Sequence, residues 1–179
     1  MTHEQRLLRR IRTLVALVVV GLVLSGLTAF ALETELRWLT QVLGARPESG
    51  PEVLSGLLRW LVTVRDALVS TGAQYPFMAY ATDWLAFAHL VIAVAFLGVI
   101  RDPVRNAWIV DFGLISCAGV LALACLAGEV RGIPIGWRLV DSAFGVGGAI
   151  PLWLARRDIV ELQGRRRPAP RPTEVGAKT

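Results

Sequence analysis

Four apolar stretches, each about as long as a bilayer-crossing helix, dominate this chain and constrain what it can fold into. They run over 14–32, 79–100, 107–127 and 136–155. A hydrocarbon core about 30 Å thick is crossed by roughly 20 residues of helix. Backbone groups in lipid find no water, so such stretches must pair internally as helices. Composition agrees: 54% of the residues are hydrophobic and 18% charged, where a soluble domain carries about 25% charged residues. The sequence therefore predicts an all-α integral membrane four-helix bundle. It weighs against a water-soluble enzyme.

The basic residues set the threading. Arg6, Arg9, Arg10 and Arg12 precede the first stretch, and Arg101 and Arg105 lie between the second and third. Arg156, Arg157, Arg165, Arg166, Arg167, Arg171 and Lys178 follow the fourth. Arg37, Arg46, Arg59, Arg65, Arg131 and Arg138 remain for the other side. Lys and Arg near span ends favour the cytoplasm, so both termini are expected there, in the cytoplasmic membrane of a bacterium. Trp84 and Trp137 fall near one set of span ends, and Trp108 and Trp153 near the other. Amphipathic rings favour both headgroup levels. The same placement accounts for the formal charge of +5 without nucleic acid, and the bilayer itself is the expected partner.

The N-terminal stretch also has a signal-peptide outline, with arginines, an apolar run and Ala29-Phe30-Ala31. Its apolar part is long for a signal sequence, and a retained anchor is expected. Residues 1–13 form a basic arm. The external connection, 33–78, is expected to hold amphipathic helices. One runs over 33–43 and ends at Gly44. After Pro47, Gly50 and Pro51, a second covers 52–70, with Val53, Leu54, Leu57, Leu58, Leu61, Val64 and Leu68 at helical spacing. The tail over 156–179 is basic and contains Pro168, Pro170 and Pro172. It is expected to be mostly disordered, because such a composition cannot bury a core.

Ionisable groups inside spans are costly, at roughly 2.5–3.5 kcal/mol each on insertion scales, and are the first place to look for function. Asp83, His89, Arg138 and Asp141 form the candidate cluster. At 1.5 Å per residue from the cytoplasmic ends, His89 lies about 16 Å deep, Asp141 about 22 Å, Asp83 about 25 Å and Arg138 about 27 Å. Arg138 and Asp141 are three apart and can meet on one helix face. Asp83 is expected to complete the neutralisation across helices. Asp111 lies apart, near Arg101 or Arg105, and Ser116 is a candidate hydrogen-bond partner for His89.

Sharper motifs are missing. His3 and His89 are the two histidines, so a bis-His haem cannot form within one subunit. Cys117 and Cys125 are too far apart on one helix to bond each other. The glycines near the fourth span precede no phosphate-loop lysine. Ala143, Gly145, Gly147 and Ala149, and Gly21, Ser25 and Ala29, form smooth faces suited to close helix packing or to a homodimer. No catalytic residue, metal or cofactor is assigned. Three functions remain open: a non-enzymatic accessory or regulatory module with a membrane-protein partner, a proton-coupled carrier using the polar cluster, and a redox protein with haem or quinone near His89.

Overall fold

A computed structural model describes residues 2–44 and 52–166. The expectations for Pro47, Gly50, Pro51 and the tail beyond Arg166 lie outside the described residues. Six α-helices follow in order: α1 (His3–Phe30), α2 (Leu32–Val42), α3 (Glu52–Gln74), α4 (Ala79–Arg101), α5 (Ala107–Val130) and α6 (Ile135–Arg166). A 3₁₀ turn over Pro76–Met78 leads into α4. Three helical segments are long and apolar enough to cross a membrane: His3–Phe30, Pro76–Arg101 and Ala107–Val130. The fourth expected span lies within α6, which falls outside that class by composition; it carries Arg138, Asp141, Arg156, Arg157 and Asp158.

Local chemistry accounts for the boundaries. Thr2 caps α1 by accepting from the Gln5 amide, and Gln5 returns the bond to the Thr2 amide. This capping box satisfies two of the amides left free at a helix start. Gly44 has φ +54° and its amide donates to the Gln41 carbonyl, the left-handed stop that glycine adopts without a Cβ clash. Between α4 and α5, Asp102 accepts from the Arg105 amide, and Asn106 Nδ2 donates to the Gly98 and Asp102 carbonyls. Pro151 lies inside α6. It removes one backbone bond, yet the helix continues to Arg166, well into the region the sequence assigned to a disordered tail. The reason is packing: Leu152, Ala155, Ile159 and Leu162 continue a helical period across the proline and are all buried.

The helices form two long pairs, α1 with α4 and α5 with α6, joined where α1 meets α6. The shared core gathers Ile11 and Val15 from α1, Phe96 and Val99 from α4, Ile109 and Val110 from α5, and Leu152, Ala155, Ile159 and Leu162 from α6. All of these lie toward the end that carries Arg10, Arg12 and Arg156. Toward the opposite end, α2 and α3 pack on each other, and α3 reaches α6. The outward faces are apolar: Leu17, Val20, Leu24, Ile115, Leu123, Leu126, Phe144 and Ile150 are all exposed. Such a perimeter is far larger than the apolar patch a water-soluble monomer tolerates.

The structure uses the expected small-residue faces only in part. Gly21 and Gly147 have open space where a Cβ would stand. Gly145, one of the expected positions, and Gly26, which was not, make the close approaches, on the Cys117 and Ala86 carbonyls. A Cβ at Gly145 would stand 2.9 Å from the Cys117 oxygen, a rigid backbone atom. Gly145→Ala is therefore expected to lower stability by about 1–3 kcal/mol through overpacking. Gly147→Ala is expected to be neutral or stabilising by up to about 1 kcal/mol. Unfolding of the detergent-solubilised protein, followed by circular dichroism, checks both.

Candidate functional site

The site at the capped end grows from the turn between α5 and α6. Gly132 takes φ +65°, its amide donates to the Glu129 carbonyl, and the Ile133 amide donates to the Gly128 carbonyl. These bonds satisfy the last carbonyls of α5. Pro134 follows, and its carbonyl accepts from the Trp137 and Arg138 amides. Ile133, Trp137 and Asp141, four residues apart in turn, then share one face.

That face looks toward the hairpin of α2 and α3. Leu57 of α3 lies against Gly136, within reach of any Cβ placed there. The hairpin is tied internally: Arg65 Nη1 donates to Thr40 Oγ1 at 3.0 Å, and the same hydroxyl donates to the Leu36 carbonyl at 2.7 Å. Thr40 is buried, and Arg65 also pairs with Asp66. Under this roof is a cavity of about 270 Å³, lined by Leu32, Leu36, Trp60, Leu61, Val64, Ile133, Trp137 and Asp141. Its single ionisable group is Asp141, which has no hydrogen bond or ion pair among the described residues.

The four cluster residues are not brought together. Arg138 pairs with Glu129, Nη1 to Oε2 at 2.5 Å, and not with Asp141 or Asp83. Its stem crosses Gly128, where a Cβ would come within 2.5 Å of Cδ. The glycine leaves a lane for the side chain, and Glu129 waits at the exposed end. Asp83 and His89 lie on α4, whose long partner is α1, away from the α5–α6 pair. Asp83 is half-buried with no partner among the described residues. His89 Nδ1 lies 2.8 Å from the Leu85 carbonyl of its own helix. A carbonyl only accepts, so Nδ1 carries a proton. Ser116 is not its partner; the hydroxyl donates to the Phe112 carbonyl instead. Asp111 meets Arg156 at 2.6 Å and neither Arg101 nor Arg105, because α5 pairs along α6.

A charged seam at the opposite end escaped the sequence reading. Arg10 Nε stands 3.3 Å from Asp158 Oδ2, and Asp158 is only 2% exposed. Arg166 bonds Glu4 at 2.6 Å. His3 Nε2 and Arg165 both bond Glu161, at 2.8 and 3.1 Å. The available signal was Asp158, Glu161 and Arg165 at helical spacing beside the apolar period of α6.

Comparison with known protein families, with characterised proteins and with solved structures finds no match. Among the described residues, no three His, Cys, Asp or Glu side chains converge as a metal site.

Hydrogen bonds from His3 and Arg165 hold the Glu161 carboxyl below its usual value of 4.5. A lowered folded value means that this tie is fully present above pH 4.5 and is lost as pH falls through the lower, folded value. Hydrogen exchange at the start of α1 is expected to quicken over that acid range. Glu161→Gln is expected to remove this pH dependence while leaving the α5–α6 amides protected.

Proposed function

We propose that this is a four-span protein of the bacterial cytoplasmic membrane, with both termini cytoplasmic and the α2–α3 hairpin external. It acts as a non-enzymatic accessory module that binds a small apolar organic cation beneath that hairpin. The observation that carries the binding role is Asp141, a lone carboxylate in an otherwise apolar cavity that two tryptophans help to line.

Length and register support α6 as the fourth span. It pairs with α5 from Asp111–Arg156 to Gly128–Arg138. Those contacts are 17 residues apart on α5 and 18 on α6, about 26 Å along either axis and close to the hydrocarbon thickness. Phe144 and Ile150 give α6 the same apolar exterior as its neighbours. Apart from Asp141, its charges find partners or lie near its ends, which is how intramembrane charge is tolerated. Arginines cluster at the proposed cytoplasmic ends.

Charge and aromatic faces support the ligand class. A carboxylate in a low-dielectric wall favours a monovalent cation, and indole faces attract ammonium or guanidinium groups. The volume suits a ligand at the small end of the usual range, roughly 300–1,000 Å³. Passage through the protein is disfavoured: Ile11, Val15, Phe96, Leu152 and Ile159 fill the space between the helices at the other end. This favours binding over carriage. His89 bonds its own helix and has no acidic partner among the described residues, so the proton-carrier and redox readings gain nothing from its position.

Trp60 and Trp137 provide the readout. Titration of the purified protein with a lipophilic ammonium ion is expected to change tryptophan emission saturably. Asp141→Asn is expected to weaken that response at least tenfold, and Asp83→Asn to leave it unchanged. An unchanged response in Asp141→Asn refutes the binding role. For threading, reporter fusions after Arg166 and at Gly44 are expected on opposite sides of the membrane, and a same-side result refutes it.

A further inference from the structure

The first turns of α1 present three different flanks. Leu7, Ile11 and Val15 face the core. His3, Glu4 and Arg10 are neutralised by α6. Gln5, Leu8, Arg9, Arg12, Thr13 and Ala16, spaced by alternating steps of three and one, form the remaining stripe. This stripe and Ile100 at the end of α4 line a groove of about 570 Å³, open to the surroundings and free of acidic side chains.

The two arginines in that groove differ from those on the α6 side. Arg12 Nε donates to the Ile100 carbonyl at 3.0 Å, so its guanidinium is tethered to the rim. Its two terminal nitrogens have no partner among the described residues, and neither does the Arg9 guanidinium. Thr13 is already committed to the Arg9 carbonyl. Leu8, Ala16 and Ile100 supply the apolar part of the lining, Leu8 before the arginines on α1, Ile100 level with Arg12 and Ala16 beyond it. Two unneutralised guanidinium groups beside a short apolar strip match a phosphodiester joined to an acyl chain. Guanidinium is the side chain best suited to a planar, multiply accepting anion.

We propose that this groove is a specific site for an anionic glycerophospholipid. The lipid phosphate is held between Arg9 and Arg12, and one chain runs past Ile100 toward Ala16. The site lies at the arginine-rich end and does not depend on the external cavity or on its ligand. Bound lipid would join α1 to the end of α4 on the side where α6 does not reach.

The test is native mass spectrometry of the full chain in detergent, titrated separately with phosphatidylglycerol and phosphatidylcholine. Phosphatidylglycerol adducts are expected to dominate. Arg9→Gln/Arg12→Gln is expected to weaken them about thirtyfold, since each arginine near a headgroup contributes roughly fivefold. Arg6→Gln, outside the groove, is expected to leave them unchanged. Three results overturn the proposal: unchanged binding in the double variant, an equal loss in Arg6→Gln, or full displacement by millimolar inorganic phosphate. The last would mark a free-phosphate site. Should the double variant lose its helical spectrum, Arg9→Gln alone carries the test, because that guanidinium holds no other residue among those described.

Discussion

Everything in this fold leans on the contact between its first and last long helices. α1 and α6 meet through Ile11, Val15, Ile159 and Leu162, with the Arg10–Asp158 pair at the edge of that apolar seam. Without that contact the molecule would be two separate helix hairpins. Association in lipid lacks a hydrophobic drive between helices, so close packing and polar ties must supply it. The seam has both. Asp158, nearly inaccessible, makes the seam specific: a buried carboxylate is tolerated only where a cation can reach it.

The other end has a different construction. There the long helices make fewer shared contacts, and the α2–α3 hairpin covers the start of α6. The turn after α5 is the hinge of this region. Gly128 gives Arg138 a lane to Glu129, and that pairing removes the one cation that stood three residues from Asp141. An acidic group is thus left alone in an apolar chamber because its nearest counter-charge has been diverted.

Much of the helical plan was legible because apolar runs and punctuation residues act locally. The stretches near 79–100 and 107–127 and the external amphipathic segments coincide closely with α4, α5, α2 and α3. The candidate cluster was less legible. Depth along an axis can be counted from residues, but the azimuth and the choice of neighbour cannot. Arg138 and Asp141 share α6, yet α4 pairs with α1, so Asp83 is not brought to them. Ionic partners follow that pairing too, and so Asp111 takes Arg156. The extension of α6 past Arg156 was hidden by its charge, which resembled a solvated tail. Its Ile159 and Leu162 carried the opposite signal.

Because the long pairs are α1–α4 and α5–α6, the two halves mature at different times during synthesis. α1 must wait for α4, separated from it by the whole α2–α3 hairpin, before it gains its longest neighbour. α5 and α6, joined by a tight turn, can pair as soon as both have been made. Only then can Asp158 find Arg10. Final closure is therefore a docking of two preassembled units, and a ribosome-bound intermediate lacking α6 would expose the Ile11 and Val15 face to lipid or to an insertion chaperone.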